Sequence, residues 1–204
     1  MKNRFDTVVF DLGGVLMDWN PDYVYKTIFN DEKQMQAFYN EICTPDWNEE
    51  QDAGRSLSEA TEMLVNKFPE QESNIRAYYG RWEEMLKGPI PGSLDIFREL
   101  KDSGRMRLYA LTNWSAETFP VALQRYDFLH WFDGRLVSGE EKIRKPFPEI
   151  YELLLSRYNI DPVKAVYIDD RLSNLAEPNR LGMHAIHFHS PEQLRKELEA
   201  LQVL

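Results

Sequence analysis

The chain has 204 residues, of which 43% are hydrophobic, enough for one substantial core or for a core with a smaller satellite domain. Its formal net charge of −10 at pH 7 opposes long-range attraction to nucleic acid and to anionic membranes, so we expect neither as a partner. An anionic small molecule is compatible with this charge, because local cations and a bound metal ion can reverse the field inside one cleft.

The single cysteine, Cys43, excludes an internal disulfide, and no thiol-catalysis signature surrounds it, so we expect a buried, inert side chain. No apolar stretch approaches the roughly 20 residues needed to span a bilayer. The apolar run after Lys2 and Arg4 is interrupted by Asp6 and Asp11, which indicates a core strand rather than a signal peptide. We therefore expect a cytoplasmic protein.

Short apolar runs predict the strands of a parallel sheet. The clearest are nearly continuous, as expected when helices cover both faces of the sheet. The runs are residues 7–10, 107–111, 134–137, 165–168 and 183–188. Between them, helical spacing of apolar residues predicts helices over 93–100, 148–160 and 191–201, the last one capped by Ser190. This alternation indicates a doubly wound, Rossmann-like α/β domain.

Residues 19–88 break the alternation of strands and helices. They contain no convincing strand and are rich in helix formers and aromatic side chains. The segment from Gly88 to Gly92, with prolines at two of its five positions, indicates a rigid linker back to the sheet. We expect an all-helical insertion, a cap domain over the carboxyl edge of the sheet, with residues 1–18 and 89–204 forming the core domain.

Polar residues follow four of the predicted strands, where ligands bind in open parallel sheets. Asp11 and Asp170 offer the hard oxygen ligands that Mg²⁺ prefers. Lys145 adds a positive charge suited to a phosphate or to the Asp11 carboxylate. A strand-end carboxylate beside Mg²⁺ and a lysine can attack phosphorus and form an aspartyl-phosphate, which water then hydrolyses.

The residues around these charges suit an anionic ligand. Thr112 and Asn113 offer a hydroxyl, an amide and backbone N–H groups. Gly13 and Gly14 allow the main chain to approach a ligand closely at a tight bend. Pro146, directly after the lysine, suits the opening of a helix.

Taken together and in this order, four segments resemble the motifs of the haloacid dehalogenase superfamily. They are Phe-Asp-Leu-Gly-Gly-Val-Leu at 10–16, Leu-Thr-Asn at 111–113, Lys-Pro at 145–146 and Tyr-Ile-Asp-Asp at 167–170. The helical insertion after the first strand resembles the C1-type cap of that superfamily. The chain is most similar to the branch of sugar-phosphate phosphatases like α-D-glucose-1-phosphate phosphatase, where the last motif is followed by an asparagine, here Asn174.

This resemblance implies a magnesium-dependent phosphatase that acts on a small phosphorylated metabolite, with a sugar phosphate as one candidate. Asp11 would be both nucleophile and metal ligand, and Asp170 the second carboxylate ligand. The main-chain carbonyl of Gly13 would also bind the metal. Asp169 or Asn174 would contact the ion or its waters.

The resemblance also implies the remaining roles at the site. Thr112 and Lys145 would complete the catalytic set around Asp11. The substrate would be bound by Gly14, Thr112, Asn113 and Lys145, with Arg55 as an outlying candidate from the cap. We expect a monomer or a homodimer.

One position departs from the pattern of the superfamily. Most of its phosphatases carry a second aspartate two residues after the nucleophile as general acid and base, and here that position is Gly13. The change removes a proton shuttle worth typically ~10²–10⁴ in rate. A substrate with a good leaving group would suffer least. Both a slow phosphatase and a catalytically degenerate protein fit this sequence.

Two alternatives therefore stay open. A 2-haloacid dehalogenase uses the same scaffold and also lacks the second acid, but it needs no metal and typically has Ser and Asn in the last motif. Asp169 and Asp170 would place uncompensated charge beside its nucleophile. A protein that binds metal and phosphate without turnover is the other alternative.

Overall fold

The computed structural model describes residues 4–204, so residues 1–3 of the predicted core segment 1–18 lie outside the described residues. The strands are β1 (Thr7–Phe10), β2 (Met17–Trp19), β3 (Leu86–Pro89), β4 (Arg107–Thr112), β5 (Gly134–Val137), β6 (Ala165–Asp169) and β7 (His184–His187). Five of them form one sheet in the order β5-β4-β1-β6-β7, and every neighbouring pair is parallel. The predicted doubly wound fold is confirmed.

The helices include the three that the sequence predicts. They are α1 (Asp22–Tyr25), α2 (Glu32–Glu41), α3 (Pro45–Asp52), α4 (Leu57–Lys67), α5 (Glu72–Gly80), α6 (Trp82–Met85), α7 (Pro91–Ser103), α8 (Phe119–Arg125), α9 (Ser138–Glu141), α10 (Pro148–Tyr158), α11 (Ala176–Leu181) and α12 (Pro191–Ala200). Across residues 4–204, none of these helices has both the length and the apolar character that crossing a bilayer requires.

The central strand β1 is buried on both faces, which explains its nearly continuous apolar sequence. Val8 and Phe10 pack into the cluster on one face of the sheet, where the Phe10 ring meets the edge of Phe97 from α7 at 5.5 Å between centroids. Val9 packs into the cluster on the other face, together with Tyr151 of α10. This double burial fixes the end of β1, and therefore the position of the residue that follows it.

The path of the chain creates a crevice at the carboxyl end of β1. After β1 the chain builds β4 and β5 on one side of that strand, and then crosses to build β6 and β7 on the other side. In open parallel sheets this switch point is where ligands bind. Asp11 follows β1 at this point, with its backbone N–H donated to the carbonyl oxygen of Ile168 at the neighbouring strand.

Helices α1 to α6 lie between β2 and β3 and have a buried apolar cluster of their own, which includes Tyr25, Phe38, Ile75 and Tyr78. We refer to this helical insertion as the cap. The division of the chain into core and cap domains at residues 18/19 and 88/89 stays a prediction.

The expectation of an insertion without strands is wrong at its two ends. Strands β2 and β3 pair antiparallel, with Met17 opposite Pro89 and Asp18 opposite Gly88. Two strands of three and four residues are too short to show an alternating pattern in the sequence. The segment predicted as a linker is instead occupied by the end of β3 and by the start of α7 at Pro91.

We expect Ser190→Ala to lower the free energy of unfolding by about 1 kcal/mol. The Ser190 hydroxyl oxygen accepts a hydrogen bond from the backbone N–H of Gln193 at 3.2 Å, which caps α12 as the sequence predicts. Urea denaturation measures the change. Ser156→Ala, at an exposed position within α10, is the matched control and leaves stability unchanged or slightly higher. Equal midpoints for the two variants would contradict the assigned cap.

Candidate active site

A buried lysine organises the crevice at the end of β1. The Lys145 ammonium lies 2.9 Å from Oδ2 of Asp11, 2.8 Å from Oδ2 of Asp169 and 3.1 Å from the carbonyl oxygen of Leu111. Its side chain is 1% exposed. An ammonium has three protons, and each has an acceptor here. The sequence left open whether this lysine faces a phosphate or Asp11, and the structure pairs it with Asp11. The predicted direct contact of Lys145 with substrate stays a prediction, and its three protons already have acceptors within the protein.

The backbone of Lys145 is held by the side chain of Asn113. The Asn113 Oδ1 accepts a hydrogen bond from the Lys145 N–H at 2.8 Å, and its Nδ2 donates to the Lys145 carbonyl oxygen at 3.0 Å. The amide predicted to bind substrate is therefore used to position the lysine. The peptide bond between Lys145 and Pro146 is cis, and the following helix opens at Pro148 rather than at Pro146.

Asp169 is surrounded by hydrogen-bond donors. Besides Lys145, its carboxylate accepts from the Tyr167 hydroxyl at 2.7 Å, the Arg171 backbone N–H at 2.9 Å and the Asn174 amide at 3.0 Å. Burial alone would raise the pKa of Asp169, but Lys145 and these donors together hold it below its usual value. Direct ligation of a metal by Asp169 is disfavoured, because its oxygens are already occupied. Asn174 acts on the site by donating its side-chain amide to the Asp169 carboxylate.

Asp170 lies against the bend formed by the two glycines. A Cβ atom at Gly14, where φ is +74°, would stand 2.5 Å from Oδ2 of Asp170, so only glycine fits. At Gly13 a Cβ would meet nothing within 4 Å. Of the hydrogen bonds that the described residues form, none ends on the Gly13 carbonyl oxygen. This oxygen and the Asp170 carboxylate are both available to a ligand.

The carboxylates form a group that fits a hard divalent cation. One oxygen from each of Asp11, Asp169 and Asp170 lies within 4.8 Å of the others. Burial raises the pKa of Asp11 to about 7 against the opposing effect of Lys145, and the other two carboxylates add to the increase. Burial and Asp169 also raise the pKa of Asp170. One lysine does not neutralise three acids, and a cation bound by Asp11, Asp170 and the Gly13 carbonyl would.

Thr112 contributes a buried hydroxyl at the end of β4. The residue is 1% exposed, and its Oγ1 is among the buried polar atoms that have no hydrogen-bond partner within residues 4–204. A buried hydroxyl without a partner costs free energy. An anion at the crevice would supply the missing acceptor, although Thr112 does not itself line the open pocket. Its predicted catalytic and substrate-binding role stays a prediction.

A pocket of about 570 Å³ lies above the crevice, between the sheet edge and the cap. Its floor consists of core residues: Asp11, Gly13, Gly14, Asn113, Trp114, Ser115, Thr118, Lys145, Asp170, Arg171 and Asn174. Its cap wall combines aromatic side chains with polar ones: Trp19, Tyr39, Tyr78, Tyr79, Trp82, Asp22, Gln36, Asn40, Asn48, Glu49 and Asp52. Cys43 also lies in this wall, where burial raises the pKa of its thiol to about 12 and keeps it unreactive.

Sequence reasoning missed the ion pairs that join cap and core at the pocket. Glu49 of α3 lies 2.8 Å from the guanidinium of Arg171 and 3.0 Å from that of Arg144. Arg171 follows the Asp-Asp pair directly, so its position after a strand was a usable signal. Nothing in the local sequence singles out Glu49. We refer to these three residues as the cap clasp.

The structure does not bring Arg55 to the pocket, and its predicted substrate role stays a prediction. Its Nε donates to Oε1 of Gln51 at 2.8 Å, and its Nη2 donates to the carbonyl oxygen of Trp47 at 2.9 Å. Arg55 does not line the pocket. The turn after α3 directs the Arg55 side chain back onto α3, so the arginine stabilises the cap from within.

Residues 5–182 match the family model for haloacid dehalogenase-like hydrolases. The chain belongs to this family. The superfamily predicted from the four motifs is therefore confirmed, as is an enzyme of the hydrolase class, whereas the narrower branch stays a prediction.

Individual relatives span nearly the whole chain. It is 26% identical to the sesquiterpene phosphatase astK of Aspergillus oryzae, over 92% of this chain and 91% of that protein. It is 29% identical to the phosphorylated carbohydrates phosphatase of Thermotoga maritima, over 96% and 91%. Among solved structures, the magnesium complex of the HAD family enzyme bt-2542 from Bacteroides thetaiotaomicron superposes with a TM-score of 0.70 at 20% identity, over 90% and 92%. This superposition shows a shared fold.

The glycine pair gives a matched stability prediction. We expect Gly14→Ala to lower the free energy of unfolding by roughly 1–2 kcal/mol or more, because a left-handed backbone and the Asp170 carboxylate both oppose a Cβ there. Gly13→Ala should change it by less than about 1 kcal/mol, because the position is open. Chemical denaturation of both variants measures the difference. Equal losses of stability in the two variants would contradict the different steric constraints assigned to Gly13 and Gly14.

Proposed function

We propose that this hydrolase is a Mg²⁺-dependent phosphatase that acts on a small phosphorylated metabolite through an aspartyl-phosphate at Asp11. The observation that carries the proposal is the way Asp11 is held on the pocket floor. Its Oδ2 is paired with Lys145, and its Oδ1 accepts the backbone N–H of Leu12 at 2.7 Å. A carboxylate fixed at both oxygens and facing a pocket is a preorganised nucleophile.

The donor set beside Asp11 supports magnesium as the cofactor. Asp11, Asp170 and the Gly13 carbonyl would hold the ion, and Asp169 and Asn174 would orient the residues around it. Hard oxygen ligands that leave room for waters and phosphate are those Mg²⁺ favours. When bound, the ion supplies positive charge that stabilises the phosphoryl oxygens during transfer.

The residues of the chain account for the other requirements of phosphoryl transfer. Lys145 opposes protonation of Asp11 and keeps one of its oxygens directed at the substrate. The unpartnered Thr112 hydroxyl would donate to a phosphoryl oxygen. Asp11 attacks phosphorus, the bond to the substrate oxygen breaks, and water then hydrolyses the acyl phosphate to release inorganic phosphate.

We infer that the organic part of the substrate lies in the cap half of the pocket and is a hydroxylated group, as in a sugar phosphate. Aromatic side chains such as Trp19, Tyr39 and Trp82 line this half of the pocket together with carboxylates and amides such as Asp22 and Asn48. Aromatic faces cover the C–H side of a sugar ring, and the polar groups hydrogen-bond its hydroxyls. The named activity of the Thermotoga maritima relative supports this substrate class.

The alternative of metal-free dehalogenation is disfavoured by the charges at the site. Within the described residues, no lysine or arginine forms an ion pair with Asp170. Without a cation, this carboxylate would repel both the Asp11 nucleophile and the carboxylate of a haloacid. The same charge favours a bound metal ion and a phosphate.

We expect the purified protein to release phosphate from members of a phosphate-ester panel with Mg²⁺ and to lose this activity with EDTA. Asp11→Asn should lower kcat/KM by about 10³-fold or more, because the nucleophile is removed. Asp102→Asn, an exposed change on α7, is the matched control and should retain full activity.

The alternatives give different results in the same assay. Chloride release from 2-chloropropionate without metal would show a dehalogenase activity and contradict the proposed phosphatase function. Mg²⁺ binding by calorimetry without turnover on any ester would indicate a protein that binds the metal and has lost catalysis.

A further inference from the structure

Among the described core residues at the pocket floor, no acidic side chain is free to give a proton to the leaving group. Gly13 stands where a second aspartate would serve, and the other charged groups at the floor are already engaged. The Lys145 protons have three acceptors, and Asp169 is surrounded by donors. Asp170 faces the proposed metal position. An alkoxide leaving group needs a proton, so its source must lie elsewhere in the pocket.

The cap presents one carboxyl group that suits this requirement. Asp52, the last residue of α3, lines the same pocket as Asp11 and Asp170. Among residues 4–204, its carboxyl group has no hydrogen-bond partner and no ion-pair partner. The other acids of the cap wall differ. Glu49 is bound to two arginines, and Asp22 is paired with Lys26 at 3.0 Å.

The position of Asp52 over the core is fixed by its own helix. Glu49, one turn earlier on α3, forms the cap clasp with Arg144 and Arg171. Just after the helix, the chain passes close to the core at Gly54, where a Cβ would stand 2.8 Å from the Lys142 side chain. Residues three apart on a helix share a face, so Asp52 points to the side on which α3 is anchored.

Burial and the neighbouring charges together place the pKa of Asp52 near neutral pH. Burial raises its pKa to about 7, and Glu49 on the same helix adds to the increase. The cations facing it from the core act in the opposite direction: Arg171, Arg144 and Lys145. From α5, the facing groups are the phenols of Tyr78 and Tyr79, both neutral because burial raises their pKa values. A carboxyl group that titrates near the working pH is suited to proton transfer.

We propose that Asp52 is the general acid and base of this enzyme, supplied by the cap in place of the missing aspartate at position 13; this role rests on the proposed phosphatase function. As Asp11 forms its bond to phosphorus, the bond to the ester oxygen breaks and the Asp52 carboxyl proton moves to that oxygen, giving the alcohol. The Asp52 carboxylate then takes a proton from the water that attacks the aspartyl-phosphate. Inorganic phosphate leaves, and Asp11 and protonated Asp52 are restored.

The test measures the first step alone, as release of the alcohol in a single turnover with Mg²⁺. Two phosphate esters of similar size are compared: benzyl phosphate, whose alkoxide needs a proton, and p-nitrophenyl phosphate, whose phenolate does not. We expect Asp52→Asn to slow release of benzyl alcohol by ~10²–10⁴-fold and release of nitrophenolate by less than about tenfold. Asp46→Asn, exposed on the same helix, should change neither rate.

A second variant separates proton transfer from positioning. A side chain at Gly13 meets open space, so Gly13→Asp can place an acid in the core. We expect Gly13→Asp, added to Asp52→Asn, to raise the rate of benzyl alcohol release at least about tenfold above that of Asp52→Asn alone. A merely structural role for Asp52 predicts equal losses on both esters and no rescue, and either result overturns the proposal. If the unaltered protein hydrolyses esters and Asp52→Asn does not slow it, only the role of Asp52 fails. If the unaltered protein hydrolyses no ester, the proposed phosphatase function and the proposed role of Asp52 both fail.

Discussion

The site depends on one buried ammonium group. An ammonium taken out of water is tolerated only with its hydrogen bonds filled and its charge balanced, and Lys145 meets both conditions with Asp11, Asp169 and the Leu111 carbonyl. The carboxylates respond differently. Asp169, with additional donors, has its pKa lowered, whereas Asp11 has its pKa raised by burial and neighbouring acids. Asp169 therefore holds Lys145 in place as a hydrogen-bonded carboxylate. Asp11 keeps lone pairs that can attack phosphorus, beside a position where a cation is required.

The positions of the sheet strands along the chain were predictable because the sheet is buried on both faces. Val8, Val9 and Phe10 make β1 apolar on both faces of the sheet, and the end of the strand is marked by a change from Phe10 to Asp11. The same logic located the four polar strand ends. It did not identify what each side chain binds. Asn113 and Lys145 both offer groups to a ligand in the sequence, and only the fold shows that they bind each other and Asp11.

The arrangement of the cap was not predictable, because it depends on contacts distant in sequence. Arg171 is 122 positions from Glu49, and nothing local to either residue indicates the pair. Arg55 is as polar as Glu49, yet it binds α3, the helix that precedes it, rather than the core. The antiparallel pair of β2 and β3 was not predicted because each strand is only three or four residues long. Partly exposed ion pairs such as the cap clasp contribute up to about 1 kcal/mol each. Contacts of that strength suit a cap that opens and closes around its ligand.

The open space at Gly13 also has an evolutionary meaning. Codons for glycine and aspartate can differ by a single base, and the backbone at this position accepts a side chain without strain. A core acid can therefore be lost or regained in one mutation while the surrounding bend, which depends on Gly14, stays intact. With the Asp52 carboxyl group in the cap, loss of the core acid at position 13 transfers the role of proton donor from the end of β1 to the cap. Selection acting on the cap would then alter substrate choice and leaving-group chemistry at the same time.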